Sequence, residues 1–562
     1  MKRLLVFISC LFFLSTNLKA VHTAGGEITW ECDSLGRYIF KMVLYRDCSG
    51  APLYYGSQNL QLIGNPLPKD VNNNTISSIH LHLDSTKGLS TNSGYLEQNC
   101  NSTSSNTNYS CANGDFGVLQ AYYYKSYPVY FQGLTSQNGL KIAWTGPCCR
   151  PQTRNNLITS GSPMLQAIMF PSISNYGPCI DNSPKFSENP SYTFCRGLYV
   201  KNSYSAIDID GDSLVYQLAP TYNNPPSNPV SLSYANGYSW QSPTPNSSFD
   251  SSNIASSIDP LTGILSFKVN NGVGQGLGSY FIVVEVKSYR NGQGNAIVRR
   301  EMPVYLFDCP TLPNQTVNQV PSITPPFLKN GSPSFKDSVI VGNLISARVQ
   351  AIDTNLSAGV GQEVSLQIIS DQITKDYSYN GDCYLNTDTN CAYIVSTNNK
   401  VYDSLFQTYE FVNQRSINGI LRWQPNCSDL GSNEEAKTHY FVVKAQDDHC
   451  PTPAVRYEVI EITVLPDPNN PCGTITSIID GEPLNERLSI FPNPTNGLVN
   501  VKLAQSEQLE INVRNFQGKL LESISLKNKS SYLLELDSPS GVYFIEISNK
   551  EGEKVFKKIV KQ

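Results

Sequence analysis

Along most of this chain apolar and polar residues take turns. Near the C-terminus Val499, Val501 and Leu503 alternate with Asn500 and Lys502, and Leu509, Ile511 and Val513 repeat the rhythm. A period of two puts every second side chain on the same face, so each run predicts a half-buried strand. A turn at Gln517, Gly518 and Lys519 follows, then strands over 532–536 and 541–547. Near the N-terminus Ile28, Trp30 and Cys32 alternate with polar neighbours, and residues 37–46 set Phe40, Met42 and Leu44 on one face. The turn at 33–36 makes these two a hairpin. Residues 54–110 are polar and Asn/Ser-rich, with one short strand at 79–83, and read as long surface loops. Strand-like segments at 116–131 and 140–150 complete an N-terminal module.

The middle of the chain repeats itself. Blocks at 206–216, 258–267, 280–286 and 297–307 recur at 351–355, 417–423, 440–445 and 457–465, in the same order. Each copy predicts one sandwich of about seven strands. Residues 311–327 are Pro-rich with few charges and predict a semi-rigid spacer. The expected organisation is therefore a leader at 1–20, modules at 21–155, 156–310 and 328–466, linkers at 311–327 and 467–487, and a small C-terminal β-sandwich at 488–562. The fold class is all-β: tandem immunoglobulin- or cadherin-like sandwiches.

Composition agrees with this picture. At 562 residues the chain is too long for one core. Its 32 tyrosines and 15% charged residues favour strands and turns. A net charge of −5, with no basic patch outside the tail, gives no reason to expect a nucleic-acid partner. Lys2 and Arg3, the apolar run at 4–14 and Ala20 read as a signal peptide, and the run is too short to span a bilayer. Behind it lie fourteen cysteines, all but Cys10 of the 15, an even number that predicts disulfides. Local spacing suggests Cys32 with Cys48, Cys100 with Cys111, Cys179 with Cys195, Cys383 with Cys391 and Cys427 with Cys450. Cys148 and Cys149 are equally able to take Cys32 and Cys48.

Candidate chemistry is sparse. Asp208, Asp210 and Asp212 alternate around Gly211, and three carboxylates on one turn suit a hard cation such as calcium. The set lacks the distal Glu of an EF-hand; the second copy keeps Asp353, with Asp447 and Asp448 near. No other cofactor is expected. His80 and His82 share a strand face, as two zinc ligands would, without a third nearby. Tyr122, Tyr123, Tyr124, Tyr127 and Tyr130 suggest a sugar-stacking platform, although alternation buries about half of them. No nucleophile elbow, zinc-protease helix or phosphate loop occurs. The chain is not expected to be an enzyme.

Two resemblances sharpen the expectation. Phe491, Pro492, Asn493, Pro494 and Gly497, then Gly518, then Gly541, Tyr543 and Phe544, with the Lys-rich end, resemble the type A C-terminal sorting domain of the Bacteroidota type IX secretion system. That resemblance implies export to the outer-membrane surface or the medium, and the secretion machinery and its sorting peptidase as partners. It further implies removal of this domain near its start and attachment to lipopolysaccharide or release. The opening Gly25-Gly26-Glu27-Ile28-Thr29-Trp30-Glu31-Cys32, the 44–50 stretch and Cys148-Cys149-Arg150 resemble large Bacteroidota surface proteins linked to adhesion and gliding motility. The repeated modules resemble cadherin-like and immunoglobulin-like domains of bacterial surface proteins. The expected function is structural or adhesive, with glycans or other cells as partners. The alternatives are a secreted glycan-binding or hydrolytic accessory protein, and a subunit of an extracellular filament or matrix.

Overall fold

A computed structural model describes residues 23–562 apart from internal stretches, of which 85–117, 272–277, 309–317, 375–390 and 473–483 are the longest. The expected leader at 1–20, and Cys100, Cys111, Cys148, Cys149, Cys383, Cys450 and Gly518, lie outside the described residues. The chain divides into two compact units, Met1–Cys472 and Gly473–Gln562. No helix among the described residues is long and apolar enough to cross a membrane.

Counting strands of four residues or more, the chain begins with β1 (Thr23–Cys32), β2 (Tyr38–Asp47), β3 (Gln58–Ile63), β4 (Ser78–Leu83), β5 (Leu119–Ser126), β6 (Leu140–Thr145) and β7 (Met164–Met169). Then come β8 (Tyr199–Ser203), β9 (Ser213–Leu218), β10 (Ile254–Ile258), β11 (Ile264–Lys268), β12 (Gly278–Arg290) and β13 (Gln293–Phe307). The order β1-β2-β5-β4-β3-β6-β7-β13 is continuous, and β13 returns to β1 where Gly26 pairs with Glu301. These strands close a ring around Trp30, Phe40, Met42, Tyr122, Tyr124 and Trp144. This corrects the boundary expected at 155. Strands up to Thr145 leave β1 and β6 with open edges, and unpaired backbone edges need partners. β7 and β13 supply them, so the N-terminal module is completed by residues of the next.

The seam requires glycine. A Cβ on Gly25 would lie 2.0 Å from the Glu301 carbonyl oxygen, and one on Gly26 2.1 Å from that of Val43. Both residues also hold positive φ, 148° and 154°.

β13 serves two cores. Ala296 faces the ring, while Val298, Val304 and Leu306 face a sandwich made by β9-β12-β13 against β8-β11-β10. The next module is β14 (Lys336–Ile340), β15 (Ile345–Ile352), β16 (Glu363–Ile369), β17 (Asn399–Asp403), β18 (Thr408–Gln414), β19 (Ser416–Trp423), β20 (Lys437–Asp447) and β21 (Val455–Leu465). Its larger sheet runs β14-β21-β20-β16-β18-β17 and faces one centred on β15-β19, with Trp423 fully buried between them. The two repeat copies share a central arrangement, β12 and β13 pairing as β20 and β21 do with Phe267 on β11 and Trp423 on β19 both in the core, while the second copy adds β18 and β17 beyond β16.

The spacer expected at 311–327 does not hold these modules apart. Ile264 packs with Ile369, Val442 and Tyr457 across the junction. Beside this apolar patch Lys444 Nζ lies 3.1 Å from the Glu188 carboxylate, which also accepts the Tyr457 hydroxyl at 3.0 Å. Lys201 pairs with Glu458 at 3.1 Å. Asn318, within the expected spacer, donates to buried Asp447 at 2.8 Å. The modules are docked.

Three local cysteine pairings are likewise corrected. Cys32 bonds Cys179, and Cys427 bonds Cys472. The β1–β2 hairpin explains the first: Cys32 pairs with Tyr38 at the turn, whereas Cys48 follows the far end of β2, about 30 Å away at ~3.3 Å per residue. Cys179 is therefore not with Cys195, and Cys427 is not with Cys450. Cys48, Cys195 and Cys391 are also disulfide-bonded.

The C-terminal unit contains β22 (Leu488–Phe491), β23 (Leu498–Asn515), β24 (Leu520–Glu535), β25 (Gly541–Asn549) and β26 (Lys554–Lys561). The first part of β23 pairs with β22 and the end of β24; its second part pairs with β25 and the start of β24. The register shifts between Lys502 and Leu509, so both long strands pass from one layer to the other. Val501, Ile511, Leu534, Ile545 and Ile559 fill the space between.

Candidate functional site

The N-terminal motif residues converge on β13. Buried Glu27 pairs with buried Arg300, whose Nη2 lies 2.8 Å from Glu27 Oε1. Arg150, with no exposed surface, forks onto Glu301 and donates to the backbone oxygens of Ser160, Ser162 and Tyr222. Asp47 accepts the Tyr305 hydroxyl. Sequence reading missed this cluster. The signal was Arg299-Arg300-Glu301 inside an apolar strand: charges there must be paired or exposed. With these carboxylates and guanidinium groups paired inside, the motif's work here is to lock the ring.

The acidic turn is organised differently from a metal loop. Arg290, at the end of β12, places Nη2 2.7 Å from Asp181 Oδ1 and 3.7 Å from Asp210 Oδ2. Its Nε lies 2.7 Å from Asp212 Oδ1. Asp210 accepts from the Asn182 backbone and side chain, and Asn295 donates to Asp212. Asp208 is 3% exposed, and its Oδ2 lacks a hydrogen-bond donor. Burial, then the neighbouring carboxylates Asp212, Asp210 and Asp181, push Asp208 up to about 8. Burial likewise raises Asp181 to about 7, against the pull of Arg290. The sequence thus brings Asp208, Asp210 and Asp212 together, but a guanidinium stands among them. Among the described residues no group of three or more His, Cys, Asp or Glu side chains is placed to hold a metal ion, and here Arg290 supplies the positive charge that faces these carboxylates. At the matching end of the second copy, burial raises Asp447 to about 7, its three hydrogen bonds oppose that, and Asp353 adds to it.

The other candidates separate. Tyr122 and Tyr124 are core residues, Tyr123 and Tyr130 are partly buried, and Tyr127 is 70% exposed. Tyr127 stacks on His82 with ring centroids 4.6 Å apart. His80 faces Asn59 at 3.2 Å.

In the C-terminal unit the Pro-Asn-Pro-Thr segment clamps the last strand. Asn493 donates to the Lys558 carbonyl at 2.7 Å and accepts from Val560 N at 2.8 Å. Thr495 exchanges backbone bonds with Val560 and Gln562. Lys561 Nζ donates to the carbonyls of Leu536 and Ser538, both at 2.7 Å, and a Cβ on Gly497 would stand 3.2 Å from its Cε. Tyr543 is buried and donates to the Pro539 carbonyl. The start of the motif and the Lys-rich end are thus two sides of one closure. Phe491 and Phe544 are left on the surface, each 40% exposed, and a Cβ on Gly541, which pairs with Lys561, would meet the Pro539 carbonyl oxygen at 3.9 Å.

Residues 489–562 match the family described as the secretion system C-terminal sorting domain. The C-terminal unit is a type IX sorting domain. A sorting domain here means that the chain engages the type IX machinery and is exported to the cell surface or extracellular space. No curated protein matches the chain. Solved structures similar to it include the human desmocollin-1 ectodomain, 10% identical over 93% of this chain and 85% of that one, at TM-score 0.15. Titin domains A168-A170 match at 10% identity over 67% of this chain and 99% of theirs, also at 0.15. A Bacteroides ovatus glucan-utilisation protein, SGBP-B, solved with a mixed-linkage heptasaccharide, matches at 10% identity over 68% of each chain, at 0.12. At such scores none of the three bears on what this chain does. The sorting domain is the part of the molecule whose task is fixed.

Proposed function

We propose that the exported part is a structural or adhesive protein of the cell surface. The junction between the two repeat modules supports this reading: a patch around Tyr457 and the Glu188–Lys444 pair make them one stiff body, as a load-bearing surface protein needs. In this reading the sorting peptidase cuts near Leu488, and the body is then attached to lipopolysaccharide or released. The test is deletion of the gene in its own organism, followed by attachment of cells to surfaces and to one another. Attachment falls and is restored by the wild-type gene; unchanged attachment contradicts the reading.

A second reading, glycan binding, is favoured by Tyr127, an exposed ring held flat against His82. Such a ring offers a stacking face to a sugar. Titration of the purified chain with oligosaccharides tests it: Tyr127→Ala weakens any binding at least tenfold, and an unchanged affinity removes this site.

A further inference from the structure

Seven of the 22 large apolar side chains that stand exposed among the described residues lie in the C-terminal unit, which is 90 of 562 residues. A small sandwich gains nothing in stability from apolar groups left in water. Two of them sit together on the outward face of β25 and β26. Phe544 is opposite Lys558 on one side and Arg514 on the other, and Phe556 is opposite Glu546. The two rings are diagonal neighbours, about 7–8 Å apart along a regular ladder. Phe556 is 63% exposed. The neighbouring side chain Tyr543 is buried and hydrogen-bonded, so folding explains Tyr543 and leaves Phe544 unexplained.

The charge around the rings has a sign. Arg514, Lys554 and Lys558 share this face with Glu510 and Glu546. Glu546 is taken by Lys554 at 2.9 Å and by Arg514 at 3.5 Å. Lys558 has no carboxylate within ion-pair distance among the described residues, although it stands beside Phe544. An aromatic pair flanked by unneutralised positive charge fits an apolar pocket rimmed by carboxylates: buried rings supply the affinity, and the charges steer and orient.

We propose that the outward β25–β26 face, centred on Phe544 and Phe556, is the surface by which the sorting domain is read, and that its partner is a protein of the export machinery with an apolar pocket bordered by Asp and Glu. The proposal rests on the sorting role of this unit. It separates the motif into residues that build the domain (Asn493, Thr495, Gly497, Tyr543) and a residue that is recognised, Phe544.

The test uses the full chain expressed in its own organism, fractionated into periplasm, cell surface and medium. Phe544→Ser with Phe556→Ser is compared with Leu498→Ser with Leu533→Ser, an equally exposed pair on the other layer. The Phe pair lowers export at least tenfold with the chain accumulating in the periplasm, and the Leu pair exports as wild type. Lys558→Glu, an exposed change that leaves the core intact, lowers export severalfold and decides the matter if the Phe variant does not fold. Export of the Phe variant at the wild-type level, or equal loss in both pairs, overturns the proposal. Retention of the wild-type chain in the periplasm overturns the sorting role itself, which is a different failure.

Discussion

Replacing Glu188 by Gln tests the junction on which the rigid-body account depends. Lys444 is 14% exposed at its side chain, and Glu188 only 5%. Burial works against the Lys444 ammonium, but Tyr457 and Glu188 outweigh it, and its pKa is raised rather than lowered. Glu188→Gln keeps the shape and a hydrogen bond to Tyr457 but leaves a buried cation without its counter-charge. Removing one member of a buried pair costs about 3–5 kcal/mol. For a module of this size each kcal/mol lowers Tm by about 2–4 °C, so the third module melts roughly 6–20 °C earlier. Lys444→Met alone leaves Glu188 buried and uncompensated, and costs a similar amount. The double variant recovers most of the loss, because with both charges gone no buried charge is left uncompensated and the glutamine introduced at position 188 can still accept from Tyr457. The assay is calorimetry of the purified mature chain for all four proteins. Single-variant losses below about 1 kcal/mol, or losses that add in the double variant, would refute the argument that this pair holds the modules together.

Other expectations follow from the same geometry. Gly26→Ala drives a Cβ into the Val43 carbonyl at the ring seam, so it destabilises by more than about 4 kcal/mol, seen as loss of near-ultraviolet circular dichroism. Asp181 and Asp208 titrate above their ordinary 3.8, at about 7 and 8, so the folded chain holds protons there that the unfolded chain has released. Stability from this cluster is therefore full below about pH 4 and is lost as pH rises to about 8, and Asp208→Asn flattens that part of the Tm profile. With Arg290 among the carboxylates, chelating calcium leaves the Tm of the first unit unchanged; a fall of several degrees in chelator, restored by calcium, shows a cation at the turn after all.

Alternation made most strands legible: 28–32, 37–46, 499–503 and 509–513 all read as strands, the last two joined in the structure into one long β23, and the repeat blocks recur in the two copies. What alternation does not carry is the partner of each strand. β13 looks like any half-buried strand, and nothing in its period says that it serves two cores or that Glu301 reaches β1. Cysteine spacing failed for the same reason: a hairpin puts Cys32 and Cys48 at opposite ends, and the ring brings Cys179 back instead. The acidic turn was found because three Asp around a Gly stand out. Arg290 lies 78 residues from Asp212 and belongs to another strand, so its place among them follows from the fold alone. In the sorting domain the motif order was readable, but the closure of β26 by Asn493 and Thr495 required the register.

The most direct measurement for the central claim, export through the C-terminal unit, is fractionation of the native organism with mass spectrometry of both ends of the mature chain. The account predicts a protein at the cell surface or in the medium whose last residue lies before about Leu488. A periplasmic protein still ending at Gln562 would contradict it.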